Sequence, residues 1–379
     1  VSEILSSLTA PSWFAHPGAR TWTCPPAPAD VQGFHAALPG YTPTPLTELP
    51  SLAVELNVGR VFVKDESCRL GLPAFKALGA SWAVHRTLAE RAGTQEAGSQ
   101  EADGQVTLVT ATDGNHGRAV ARMARMLGQR AHVFVPHGVH PAAAAAIAAE
   151  EARVTEVAGS YDEAVRRAAA AVDATPGAVL IQDTAWPGYE RIPGWIVEGY
   201  ATLFAEIDAQ LAAVEAGSPD LVAIPVGVGS LAQAAVTHYR SGGDGAAPAL
   251  LSVEPDSAAG VLTSLTRQAP VTVTTGETTM AGLNCGTPST LAWPYLRDGL
   301  DAAIAVTDAD SACAADDLAA LGVPSGPCGA ASLAGVRAAL TGDGAPTRRA
   351  ALSLSPASTL VLLSTEGTAA NPHHRENPS

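Results

Sequence analysis

Lysine is almost missing from this chain. Of its 22 Lys and Arg residues, only Lys64 and Lys76 are lysines. A deprotonated amine can condense with an aldehyde and a guanidinium cannot, so any aldehyde-bearing cofactor would have just two possible anchors. Aromatic residues are also scarce, at 5%. No apolar run approaches the roughly 20 residues of a membrane-spanning helix, so no membrane partner is expected. The opening Val1-Ser2-Glu3-Ile4-Leu5 has no cationic region followed by an apolar stretch, so a secretory signal is not expected. The cysteines Cys24, Cys68, Cys285, Cys313 and Cys328 are odd in number and form no CxxC or other zinc spacing. That pattern points to free thiols in a cytoplasmic protein with no metal site. A net charge of −15 argues against nucleic acid or an anionic membrane as the main partner, while leaving room for a small anion held locally.

What is present is apolar and alternating. The 379 residues, 47% of them hydrophobic, suffice for two domains or for one large domain with a subdomain. The first forty, rich in Pro, Trp and small polar residues, are expected to be mostly irregular. From about residue 60, short apolar runs at 61–64, 106–110, 132–136, 154–157, 179–182, 221–225, 250–253, 303–306 and 360–364 read as strands buried on both faces. Helical stretches lie between them at 118–128, 141–152, 162–173 and 192–211. Residues 91–105 read as a polar loop. This alternation predicts an α/β fold with open, doubly wound parallel sheets.

Six segments carry possible chemistry. Lys64, in Val63-Lys64-Asp65, reads as a solvated charge on the polar side of a strand. Lys76 lies in Ala74-Phe75-Lys76-Ala77-Leu78-Gly79-Ala80, a small-residue stretch entering a helix. Thr112-Asp113-Gly114-Asn115-His116-Gly117 follows a strand and precedes a helix, where α/β proteins place ligands; an ordinary capped turn would look the same. Val226-Gly227-Val228-Gly229-Ser230-Leu231 repeats that layout, and its backbone N–H groups suit a phosphate. It lacks the third glycine of a dinucleotide fingerprint and the Lys of a P-loop. Ser325-Gly326-Pro327-Cys328-Gly329 is a small-residue bend before a helix ending near Leu340, and Cys328 alone reads as a small buried hydrophobe. Gln182-Asp183-Thr184 puts an acid at a strand end, where a turn cap is the plain reading.

Together, in order and spacing, these segments resemble the fold-type-II pyridoxal-phosphate enzymes, the tryptophan synthase β-like group that includes the serine and threonine dehydratases. Within it the chain is most similar to the diaminopropionate ammonia-lyases. That similarity rests on Tyr41-Thr42-Pro43-Thr44-Pro45-Leu46, the 111–118 segment, 182–193, Met280-Ala281-Gly282-Leu283-Asn284-Cys285-Gly286 and Ser364-Thr365-Glu366-Gly367, which span nearly the whole chain.

The resemblance implies a large cofactor domain, 1–71 with 189–379, and a small mobile domain, 72–188. It implies pyridoxal 5'-phosphate bound through the Lys76 amine, with Phe75 beside it. Asn115 would bond the phenolic oxygen, Gly227, Val228, Gly229, Ser230 and Leu231 would hold the phosphate, and Cys328 would face the ring nitrogen. A neutral thiol there would leave the ring a weaker electron sink. Lys76, Asp113 and Asp183 would be the catalytic groups, dividing proton transfer on the two faces of the substrate. His116 would be structural. The implied reaction is α,β-elimination from a β-substituted amino acid, 2,3-diaminopropionate giving pyruvate and ammonia, in a cytoplasmic homodimer. Serine or threonine dehydration, β-replacement on the same fold, and a catalytically idle homologue are the alternatives.

Overall fold

Short β-branched runs bounded by Gly and Pro turns build two separate sheets in the computed structural model, which describes residues 12–94, 105–112, 114–242 and 247–370. The strands are β1 (Trp13–Ala15), β2 (Leu46–Glu48), β3 (Arg60–Asp65), β4 (Thr107–Ala111), β5 (Arg130–Pro136), β6 (Arg153–Val157), β7 (Ala178–Leu180), β8 (Leu221–Pro225), β9 (Ala249–Pro255), β10 (Ala302–Val306) and β11 (Thr359–Ser364). One sheet runs in the order β1-β10-β9-β8-β11-β3-β2, the other β6-β5-β4-β7. All pairings are parallel except the two outer ones of the larger sheet, β1 on β10 and β2 on β3. The four strands of the smaller sheet all lie between residues 107 and 180, while the larger sheet draws on chain from both sides of that stretch.

Every residue of β8, β9, β10 and β11 is buried, which is why these runs are mostly apolar rather than alternating. The helix Pro327–Leu340 is apolar nearly all round because it is covered on all sides. Its Gly335 lets the backbone approach Val253 so closely that a β-carbon would collide with that side chain. Each fully buried Leu, Ile or Val in this layer contributes about 1.5–3 kcal/mol. No helix among the described residues is long and apolar enough to cross a membrane.

The nine anticipated strands form, and four expectations need correction. The edge strands β1 and β2, three residues each, were not foreseen. Trp13 pairs with Ile304 and Leu46 with Lys64, so their extended shape is set by distant partners. The expected helix over 192–211 is two helices, Arg191–Gly199 and Ala201–Ala213, divided at Tyr200. The helix Lys76–Thr94 takes in the start of the expected polar loop; residues 95–104 lie outside the described part.

Lys64 is the clearest departure. It is not a solvated strand charge but is wholly buried. Its Nζ donates to Glu206 Oε2 at 2.6 Å, Thr44 O at 2.8 Å and Gln210 Oε1 at 2.8 Å. Arg69, also buried, bonds both Glu66 and Glu206, so two cations and two anions neutralise one another beneath the helix Ala201–Ala213. Burial lowers the Lys64 pKa, against the pull of Glu66 and Glu206. β3 lies between β11 and β2, and the face assumed to be wet is covered by that helix.

Candidate active site

The C-terminal ends of β8 and β11 in one sheet face those of β4 and β7 in the other across a cavity of about 920 Å³. Open parallel sheets present ligand-binding loops at these ends. Lys76, Asn115, Asp183, the whole stretch 227–231 and Glu366 line the cavity. Phe75 does too. Asp113 lies outside the described residues.

Lys76 is the first residue of its helix, entering from Phe75, whose N–H donates to Thr365 O at 3.2 Å. The small residues around it serve packing. A β-carbon on Gly79 would stand 2.8 Å from Ile196 O, and one on Gly199 2.6 Å from Leu78 O, so the helices Lys76–Thr94 and Arg191–Gly199 touch backbone to backbone. Lys76 Nζ meets Asp183 Oδ2 at 2.6 Å. Burial works against the lysine's charge, but the Asp183 carboxylate outweighs it and raises its pKa above the usual lysine value. Burial likewise works against the Asp183 carboxylate, and the Lys76 ammonium overrides it, holding that pKa below the usual range. Asp183 Oδ1 accepts from Gln182 Nε2 at 3.2 Å, and its carbonyl accepts from Ser230 Oγ at 2.9 Å.

His116 is buried, with Nε2 2.7 Å from Ile181 O. That nitrogen must donate, which leaves Nδ1 a bare lone pair, unpartnered and 3.9 Å from Asp183 Oδ2. Burial pushes its pKa down, so the ring is neutral. The Tyr200 hydroxyl is a second buried polar atom without a partner, and Tyr200 also lines the cavity. Thr112 Oγ1 shapes the loop between β4 and the next helix by accepting from Gly114 N at 2.9 Å and Gly117 N at 3.1 Å. Asn115 begins that helix and donates from Nδ2 to Glu366 Oε2 at 2.7 Å.

The loop 227–231 runs from β8 into the helix Ser230–Arg240, whose first turn points unpaired N–H groups into the cavity. Both glycines are required. A β-carbon on Gly227 would press on Gly282 O at 3.0 Å and Cys285 Sγ at 3.1 Å. Gly229 has φ +101°, and a β-carbon there would meet Leu296 at 2.6 Å. An amine held against a carboxylate, an anion cradle, and unpartnered buried polar atoms between them fit an aldehyde-bearing phosphate cofactor.

Cys328 departs from the expected arrangement. It is buried but is not among the residues lining the cavity. Its N–H donates to Glu366 Oε1 at 3.3 Å, and burial, then the Glu366 carboxyl, push its thiol pKa well up. Glu366 is the residue that lines the cavity there. Its sequence signal was an acid directly after a buried strand, in Ser364-Thr365-Glu366-Gly367, and it had been given no role.

These features define a pyridoxal-phosphate site, and the chain belongs to the family described as pyridoxal-phosphate dependent enzyme, whose model matches residues 37–355. Among its relatives are two diaminopropionate ammonia-lyases. That of Salmonella typhimurium is 39% identical over 292 residues, covering 74% of this chain and 72% of the relative. That of Escherichia coli K12 is 36% identical over 366 residues, covering 90% and 89%. The crystal structure of the Escherichia coli diaminopropionate ammonia lyase in complex with D-serine superposes with a TM-score of 0.87, at 31% identity and over 98% of this chain and 97% of that one.

Proposed function

We propose that this chain converts 2,3-diaminopropionate and one water to pyruvate and two molecules of ammonia, the β-amino group leaving by elimination and the α-amino group by hydrolysis of the aminoacrylate that elimination leaves. The observation that carries the reading is the Lys76–Asp183 pair at 2.6 Å in a cavity that also holds an anion cradle. Once bound, pyridoxal phosphate supplies the electrophilic aldehyde carbon and a ring that takes up the electron pair left at Cα. Lys76 would hold the cofactor through its amine and, once free of it, would serve as the base at Cα. The backbone N–H groups of 227–231 fix the phosphate. Asn115 orients the ring, and Asp113 and Asp183 share proton transfer with Lys76 on the two faces of the substrate.

Substrate choice follows from charge. A Lys76 amine that serves as the base at Cα is neutral, so Asp183 loses its cationic partner and takes the β-ammonium group in its place. Serine or threonine would leave that buried carboxylate unpaired. Breaking a buried pair costs about 3–5 kcal/mol, so diaminopropionate is preferred at least about a hundredfold. The relatives named diaminopropionate ammonia-lyase support the same choice.

We further propose that 72–188 is a small domain that turns against 1–71 and 189–379 to exclude water. The active form is a homodimer in the cytoplasm; sedimentation of the purified protein tests the dimer. The main test compares kcat/KM for D- and L-diaminopropionate with that for serine, following 2-oxo acid release. Asp183→Asn should lower the diaminopropionate value about a hundredfold and the serine value far less. An equal loss on both substrates would refute the role of Asp183 in choosing the leaving group.

A further inference from the structure

We propose that the Glu366 carboxyl, and not the Cys328 thiol, is the ionisable group of this chain that meets the bound cofactor ring and sets its protonation. The first support is position. Glu366 is 4% exposed and lines the cavity, while Cys328 lies behind it. Its backbone is fixed relative to the anchor lysine: Ala74 bridges to Glu366, Phe75 N donates to Thr365 O, and Gly326 N donates to Glu366 O at 2.8 Å. The carboxyl therefore stands in the same wall of the cavity as the segment that delivers Lys76.

The second support is its set of partners. Oε2 accepts from Asn115 Nδ2 at 2.7 Å, Oε1 accepts from Cys328 N at 3.3 Å, and the carboxyl also bonds the Cys328 thiol. All of these are neutral donors. Among the described residues no Lys, Arg or His forms an ion pair with Glu366. The titratable groups facing it are Cys328, from the helix Pro327–Leu340, and at longer range Lys76; the helix Asn115–Met126 presents the neutral Asn115. A carboxylate has about four acceptor positions and these donors leave some unused, so one remains for a ring atom. A buried carboxyl without a cation is held toward its protonated form by desolvation, so it has a proton to give to a basic neighbour. Burial raises the Glu366 pKa above the usual carboxylate range.

The transfer moves one proton from a Glu366 oxygen to a basic atom of the ring and leaves a carboxylate beside the cation it forms. That pairing makes the ring a stronger electron sink than a neutral thiol would, the reverse of the consequence expected for Cys328.

The inference rests on the pyridoxal-phosphate reading but not on the choice of substrate, so the test uses protein loaded with pyridoxal phosphate and no amino acid. Visible absorbance is followed against pH for the native protein, Glu366→Gln, Glu366→Asp, Cys328→Ala and Thr365→Val. Glu366→Gln should move the midpoint of the spectral titration by about one unit or more, and Cys328→Ala and Thr365→Val should leave it in place. If Glu366→Gln does not take up cofactor, Glu366→Asp, which withdraws the charge by one methylene, should still displace the midpoint. A midpoint unchanged in the glutamate variants, or one moved by Cys328→Ala or Thr365→Val, overturns the assignment. Loss of colour in Lys76→Ala tests the cofactor reading separately.

Discussion

Two lysines in one chain do opposite work. Lys76 faces a cavity and a single carboxylate, whereas Lys64 is locked among Glu206, Gln210 and Thr44. Lys76→Ala is expected to abolish the visible absorbance of the cofactor-loaded protein while leaving the fold intact. Lys64→Ala should keep the colour but cost about 3–5 kcal/mol in urea unfolding, because Glu206 loses one of its two buried cations. The Lys76–Asp183 pair also makes the cofactor-free protein pH-sensitive. Asp183 titrates below its unfolded value near 3.9, so its contribution is present above about pH 4 and is lost as pH falls through the lowered folded value. Lys76 titrates above its unfolded value near 10.4, so its contribution is present below about pH 10 and is lost as pH rises through the raised value. The stability gap between native and Asp183→Asn protein should therefore be widest near neutrality and close toward acid, as urea titrations at several pH values would show.

At the scale of elements, glycines set the distances. The helix Lys76–Thr94 lies against Arg191–Gly199 only because Gly79 and Gly199 carry no side chain. Gly79→Ala would force the two backbones apart, with an expected loss of about 1–3 kcal/mol and weaker cofactor binding, since Lys76 starts the displaced helix. Gly229→Ala strains a positive φ and strikes Leu296, which turns the first turn of Ser230–Arg240 away from its anion. Its effect should appear as a cofactor dissociation constant raised tenfold or more, with thermal stability of the cofactor-free protein lowered less. The parallel strands and most helices were legible from local pattern, since buried parallel strands are short apolar runs. The edge strands β1 and β2 were not, because three residues carry too little periodicity and their extension depends on β10 and β3.

For the whole molecule, the cavity is lined from both sheets, so a ligand that fills it touches both. Cofactor at a hundred times its dissociation constant should stabilise the fold by about 2.7 kcal/mol, and Lys76→Ala should reduce that gain. If 72–188 moves as a unit, adding D-serine to loaded protein should slow amide exchange along the cavity edges of both sheets and leave the centres of β8 and β11 unchanged.

Sequence alone determined the order of strands and helices, the two possible aldehyde anchors, and the glycine loop that suits a phosphate. Each of these is a local property, carried by periodicity, residue type and turn chemistry within a few neighbouring positions. Only the tertiary structure decided that Lys64 is buried, that Lys76 is held by Asp183, and that Glu366 stands between Cys328 and the cavity. The cavity contacts among these reach far along the chain, 107 positions for Lys76 with Asp183 and 251 for Asn115 with Glu366. No local pattern encodes which loop the two sheets will bring face to face. The near absence of lysine left two candidate anchors, and of the two only Lys76 lines the cavity.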